Sequence, residues 1–325
     1  MKIAIIGQQD FGKSVLEAFL ARGDEVAGVF CAPEKEGAKA DALRAAAQEK
    51  GLRVFQFASL RDAQALDSMR ALNVDIGIMA FVLQFAPQDF VKIPSHGTIQ
   101  YHPSLLPKFR GPSSINWPII KGETETGLTI FRPNDGLDEG EVILQKKTPI
   151  SENDTLGTAY FDRLFPIGVA AMLEAADLVV AGKHTETVQD ESQASYEGWC
   201  RAAEAKINFN NHVDYVHNTI RGCDPAPGAW TTIAGKKVQL FGSKKHVVRT
   251  FGAVKGKPGE ITAITPTSMF ITAQGGQVEI AKVKHEDGKK SHRCRVCGCV
   301  WRDRWNRIRQ LISRHLRQTQ TNTSR

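Results

Sequence analysis

Over the first 150 residues, short apolar runs alternate with segments whose apolar positions recur every three or four residues. KIAIIG, EVAGVFCA, RVFQF, VDIGIMA, TIQYH and GLTIFR read as strands, and SVLEAFLARG, KADALRAAAQEKG and LRDAQALDSMRALN read as helices. Nearly continuous apolar strands punctuated by amphipathic helices are the pattern of a parallel sheet covered on both faces. The expected fold is therefore α/β, a doubly wound, mostly parallel, Rossmann-like sheet. EVILQKKTPI reads as a further strand. LGTAYFDRLFPIGVAAMLEAADLVVAG reads as a long buried helix that closes a first domain at 1–182.

Residues 183–200 are polar and unpatterned, which predicts a linker. From 201 to 290 the pattern changes to one short helix, HVDYVHNTIRG, followed by WTTIAG, KKVQLFGS, HVVRTF, GEITAIT, SMFITAQ and QVEIAKVKH. Short strands spaced by Gly and Lys turns predict a small antiparallel, OB-like β-barrel. No uncharged stretch approaches the ~20 residues of a membrane span. The start MKIAIIGQQDF carries one lysine and a short apolar run, so a cytoplasmic protein is expected, with no membrane partner.

The net charge of +7 changes little once it is placed along the chain. Residues 1–200 sum to −8, residues 201–288 to +5, and Lys289–Arg325 alone to +10. The basicity is a tail effect and does not by itself argue for nucleic acid. Cys31, Cys200 and Cys223 are scattered and suit a reducing compartment, where they act as small apolar residues. Cys294 to Cys299 form CRVCGC near His292, but a structural zinc site needs two separated ligand pairs, so no metal is expected.

Three stretches could carry chemistry. GQQDFG follows the first strand where a dinucleotide fingerprint would stand. Gln9 occupies the place of the second glycine, so NAD is not expected. In IQYHPSLLPKFRGPSSINW, strand alternation puts Gln100 and His102 on one face, with Pro103 ending the strand at the edge where open α/β sheets bind ligands. In NDGLDEGEVILQ, Asp135 and Asp138 lie in a glycine-rich turn. An amide, a histidine and a carboxylate are what acyl transfer onto a weak nucleophile needs: donors for a tetrahedral oxyanion and a group to position water or an amine.

These residues resemble the formyltransferases that use 10-formyltetrahydrofolate, whose signature is Asn-x-His, SLLP, a glycine turn and an aspartate in GLD-x-G about three dozen residues later. The matching positions are Gln100-Tyr101-His102, Ser104 to Pro107, Gly111 and Asp138. The resemblance extends over roughly residues 1–288. Within the family, MKIAIIGQQDFG, HGTIQYHPSLLPKFRGPSSINW and ASYEG are most similar to the hydrolase-type domain of 10-formyltetrahydrofolate dehydrogenase. Methionyl-tRNA formyltransferases are similar too, but typically carry a GTP-x-FA turn and a longer basic loop.

The resemblance implies that His102 is proton donor and oxyanion partner and that Asp138 orients it and the attacking water or amine. It implies folate contacts at Phe81, Gln84, Phe85 and Ala86, at the turn Ser104, Leu105, Leu106 and Pro107, and at Asp135 and Leu137. Tetrahydrofolate is then product, and water enters between His102 and Asp138. Gln100 departs from the pattern, since transferring members have Asn there and the hydrolase-type domain commonly has an aliphatic residue. Glutamine reaches roughly 1.5 Å further, and a lost oxyanion donor costs about 10²–10³ in rate.

The expected reaction is hydrolysis of 10-formyltetrahydrofolate to formate and tetrahydrofolate. The alternatives are formyl transfer to an amine, above all that of methionyl-tRNA, with tRNA held through the C-terminal domain, and a folate- or RNA-binding protein without turnover. Residues 291–325 replace the family's Ala- and Gly-rich ending with nine arginines. One back-translation of this tail, read one base later, yields such an ending, so an out-of-frame tail is expected.

Overall fold

The computed structural model describes residues 1–34, 37–233, 235–250 and 252–285. The cysteine cluster, the basic tail and the frame-shift reading fall at 286–325, outside the described residues. The described chain forms two compact units.

The first unit holds a seven-stranded sheet built from β1 (Lys2–Gly7), β2 (Glu25–Cys31), β3 (Val54–Gln56), β4 (Ile76–Ala80), β5 (Thr98–His102), β6 (Glu125–Phe131) and β7 (Val142–Pro149), in the order β3-β2-β1-β4-β5-β6-β7. β1 to β5 pair in parallel, and β6 and β7 are antiparallel additions at the edge. The apolar runs alternate between two cores. Ile3 and Ile5 of β1 and Ile76 and Ile78 of β4 face one side with Phe11 and Phe19 of helix α1 (Gln9–Arg22), while Ala4, Ile6 and Met79 face the other with Phe30, Met69 and Phe90. Each such side chain contributes about 1.5–3 kcal/mol when fully buried. Two further helices, α2 (Ala42–Glu49) and α3 (Ala63–Leu72), complete the crossovers. Asp41 caps α2 by accepting from the Leu43 and Arg44 N–H groups.

The predicted long helix is present as helical chain from Leu156, running through a π-helical stretch Ala159–Leu164 into the α-helix Phe165–Val180, with Pro166, which lacks an N–H, just after the π-helical stretch. Ile99 and Tyr101 of β5 point into the same core. Tyr101 stacks on Phe11 with ring centroids 4.2 Å apart, and burial pushes its hydroxyl well above the usual tyrosine range. Strand alternation therefore sends Gln100 and His102 to the opposite face.

The first unit also keeps residues 158–199, so the stretch expected as a linker at 183–200 belongs largely to it. Thr187 exchanges both backbone hydrogen bonds with Val142, and residues 189–197 are bonded to loops of the same unit. Most of these residues are exposed, which is why the stretch reads as a linker, but the buried Gln189 and the backbone bonds at Thr187, Ser195 and Glu197 tie it to loops of this unit.

Among the described residues, the second unit comprises 116–124, 151–157 and the chain from Cys200 to His285. Its antiparallel sheet contains β8 (Trp230–Ile233), β9 (Lys236–Val247), β10 (Ile261–Ile264), β11 (Met269–Ala273) and β12 (Gly276–His285), ordered β10-β11-β12-β9-β8 and curled as a half-barrel of OB-like kind. The expected separate strand HVVRTF is absorbed at its start into β9, which runs unbroken from Lys236 to Val247 opposite β12. The helix Val213–Gly222 packs Val213, Val216 and Ile220 against this sheet.

Candidate active site

His102 ends β5, with Thr129 of β6 and Gln145 of β7 directly alongside it in register. Neighbours in register share a face, so this row builds the floor of the site. Thr129 is fully buried; its hydroxyl donates to the Ser104 carbonyl (2.7 Å) and accepts from the Leu106 N–H (3.1 Å) and the Gln145 amide (3.0 Å). The same Gln145 amide donates to the Leu106 carbonyl at 2.8 Å. Ser104 Oγ donates to the Lys108 carbonyl at 2.7 Å. The SLLP turn is thus pinned to the sheet by side chains. The side chains of Ser104 and Leu106 are buried and shape the turn, while Leu105 and Pro107 are half-buried.

The chain then turns through Phe109, at φ 58°, and Gly111, at φ 101°. A Cβ on Gly111 would run into the Glu197 carbonyl oxygen. Only glycine can bring its N–H up to Asp138 here, donating to Oδ2 at 2.9 Å. That same Oδ2 lies 3.5 Å from His102 Nδ1, and both side chains are buried. The GLDEG loop therefore does meet the YHPSLLP stretch, 36 residues apart in sequence.

Two details differ from expectation. At 3.5 Å there is no room for a water between His102 and Asp138, since a bridging water needs about 2.8 Å on each side. A nucleophile must approach from beside the pair. Further, His102 Nε2 donates to the Phe109 carbonyl at 2.9 Å, so this ring N–H is occupied in this conformation. With the proton on Nε2, Nδ1 offers Asp138 a proton only as imidazolium.

A group that sequence reading passed over holds this arrangement. Gln189, buried in the supposed linker, donates its amide to the carbonyls of Asp138 (2.9 Å) and Gly140 (2.7 Å). Its Oε1 accepts from Arg110 Nε (3.2 Å) and Nη2 (2.9 Å), and Arg110 also binds Glu191 at 2.6 and 3.0 Å. That hydrogen bond raises Arg110 above its usual range and holds Glu191 below the ordinary carboxylate value. Ser195 closes the ring: its hydroxyl accepts from the Phe109 N–H and its carbonyl from the Arg110 N–H, both at 2.8 Å. Neither periodicity nor composition marks these residues; ASYEG was the sole pointer.

Gln100 is half-buried on the same face as His102. The loop after β4 is different in kind. Phe81, Leu83 and Phe85 are exposed, Phe81 at φ 60°, and Arg61 lies 4.7 Å over the Phe85 ring. Gln84 donates to the carbonyls of Phe57 (2.8 Å) and Ala58 (3.1 Å), so its amide fastens the loop. Ala86 is buried in the core beside Phe90, which removes its side chain from the expected contacts. Leu137 and Asp135 are exposed in the loop that carries Asp138. At the end of β1, the Gln9 N–H donates to Asp41 at 2.8 Å, and Asp10 follows in the first turn of α1. A carboxylate sits where a dinucleotide fold seats its phosphate, and these residues do not fit one.

The Formyl transferase family matches residues 1–175, and its C-terminal domain matches residues 200–293. The chain belongs to the formyl transferase family. It is 38% identical over 301 residues to the cytosolic 10-formyltetrahydrofolate dehydrogenase of Xenopus tropicalis, covering 89% of this chain and 33% of that protein. The chain thus spans about a third of the length of the curated dehydrogenases it matches. It is 31% identical over 295 residues to the methionyl-tRNA formyltransferase of Syntrophus aciditrophicus (strain SB), covering 89% of this chain and 93% of that one. Among solved structures, a sugar 3N-formyl transferase determined in the presence of dTDP and 5-N-formyl-THF superposes with a TM-score of 0.66 at 19% identity, covering 89% and 99% of the two chains. At that identity the likeness speaks to the formyl transferase fold alone.

Proposed function

We propose that this formyl transferase family member hydrolyses 10-formyltetrahydrofolate to formate and tetrahydrofolate at His102 and Asp138. The observation that carries the reading is the buried imidazole and carboxylate, 3.5 Å apart at the end of β5. Water attacks the formyl carbon and gives its proton to Asp138. The charge that develops on the formyl oxygen meets the His102 imidazole and the Gln100 amide. The intermediate collapses by breaking the bond from carbon to N10, which takes up the proton that Asp138 received from water and leaves as tetrahydrofolate, while formic acid ionises to formate and Asp138 is again a carboxylate. For His102 to serve the oxyanion, Nε2 exchanges the Phe109 carbonyl for the substrate oxygen, and the Nδ1 contact with Asp138 tightens; catalytic hydrogen bonds are often long before substrate binds. In this reading the pterin contacts the exposed Phe81 and Phe85 of the loop after β4 and the exposed Leu137 and Asp135 of the loop that carries Asp138.

The second reading is formyl transfer to an amine, above all that of methionyl-tRNA, and its support is the match along 93% of a methionyl-tRNA formyltransferase. Lysines of the half-barrel would then meet phosphates. Incubating the purified full chain with 10-formyltetrahydrofolate alone, then with added methionyl-tRNA, separates the two. Formate release without acceptor is the expected result. Loss only in the presence of acceptor replaces hydrolysis with transfer, and binding without turnover removes both.

A further inference from the structure

We infer that Gln189 is a positioning residue for the formyl reaction, acting through the Asp138 turn; this rests on the proposed chemistry at His102 and Asp138. Asp138 stands at φ 58°, a left-handed conformation that an aspartate adopts at some cost and keeps only when its surroundings fix it. Its carboxylate must reach the Gly111 N–H and His102 Nδ1 with the same oxygen, Oδ2. A turn that relaxes would carry that oxygen away from both.

Two carbonyls of this turn, those of Asp138 and Gly140, point at the Gln189 amide, and both of its protons are used on them. The amide cannot flip, because its oxygen is fixed by two Arg110 donors, and Arg110 is fixed in turn by Glu191. The backbone of Arg110 precedes Gly111, so one side chain couples the residue that donates to Asp138 with the turn that carries Asp138. Gln189 touches neither His102 nor the loop after β4 in the hydrogen bonds it makes, which is why its role is positional. A glutamine is required: glutamate would satisfy Arg110 but place oxygen against two carbonyl oxygens, and methionine would fill the space with no donor.

The test compares Gln189→Glu and Gln189→Met with the wild-type full chain, reading kcat and KM for 10-formyltetrahydrofolate, thermal unfolding, and amide hydrogen exchange at Gly111. A displacement on the ångström scale costs up to about 10²-fold in rate, so kcat should fall about 10–100-fold with KM within about threefold. Gly111 exchange should quicken at least about tenfold, since its acceptor is then no longer held. If the wild type does not turn the folate over but Gly111 exchange still quickens in the variants, the proposed function falls and the positioning of Asp138 stands. Folded variants with wild-type kcat and wild-type Gly111 protection overturn the inference. Should Gln189→Met fail to fold, Arg110→Lys removes the paired guanidinium donors and is expected to shift kcat and Gly111 exchange the same way; no shift in either has the same overturning force.

Discussion

The loops that leave β4 and β5 start from neighbouring strands of one sheet and are built in opposite ways. After β5, the side chains of His102, Ser104, Arg110 and, from further along, Thr129, Asp138 and Gln189 are buried and polar. They spend their hydrogen bonds on one another and on loop backbone. After β4, Phe81, Leu83 and Phe85 are apolar and exposed. The first loop stores position and the second stores surface. A buried polar network fixes geometry because each member left unpaired is costly, whereas an exposed aromatic can gain only when a ligand covers it. Under the proposed function, this contrast gives the chemistry to one loop and the binding to the other.

The largest effect should come from His102→Asn. Removing a positioned acid–base group costs about 10²–10⁴ in rate, so kcat should fall by that much while the affinity for folate, measured by fluorescence titration, changes little. A variant that loses binding instead would merge the two roles. Next is Thr129→Val, which keeps the shape but leaves the Ser104 carbonyl, the Leu106 N–H and the Gln145 amide short of a partner. Unsatisfied buried groups cost about 1–3 kcal/mol, and calorimetry should register a drop in Tm of several degrees. Phe85→Ala should act on the other side of the contrast. Loss of an aromatic contact worth about 1.4 kcal/mol corresponds to about a tenfold rise in KM, with kcat little changed.

The smallest effect is in pH. Glu191 is held below its ordinary value by the hydrogen bond from Arg110, so the stability it contributes is present above the unfolded glutamate value of about 4.3 and is lost as pH falls through the lower folded one. Arg110 stays charged throughout. The melting temperature should therefore decline between about pH 5 and pH 3, and Glu191→Gln should flatten that slope slightly, with no difference between the two chains at pH 7 beyond the lost ion pair. A steeper slope in the variant would reverse the assignment.

The same contrast explains what the sequence made legible. β1, β2, β4 and β5 were read correctly because KIAIIG, EVAGVFCA, VDIGIMA and TIQYH are buried on both faces, and burial writes itself as apolar runs. His102 and Asp138 were singled out because each sits beside a turn whose glycine or proline marks it, and the fold brings the two side chains together. Arg110, Thr129, Gln145, Glu191 and Gln189 were not found. Their partners lie far away in sequence, backbone groups for Thr129, Gln145 and Gln189 and side chains for Arg110 and Glu191, and such residues look like ordinary polar positions until the fold brings them together. The stretch 183–200 was read as a linker for that reason. Ala86 and Ser104 were expected among the folate contacts from the resemblance; their side chains lie in the core and on the Lys108 carbonyl, which leaves their backbone groups to face a ligand.

The central claim is that the charge of Asp138, held beside His102, drives the formyl reaction. Asp138→Asn tests it most directly, because an asparagine oxygen can still accept from the Gly111 N–H while the negative charge is gone. Single-turnover release of formate from 10-formyltetrahydrofolate should slow by at least about 10²-fold in a chain that folds and binds folate as the wild type does. Formate release at the wild-type rate in that variant would contradict the account.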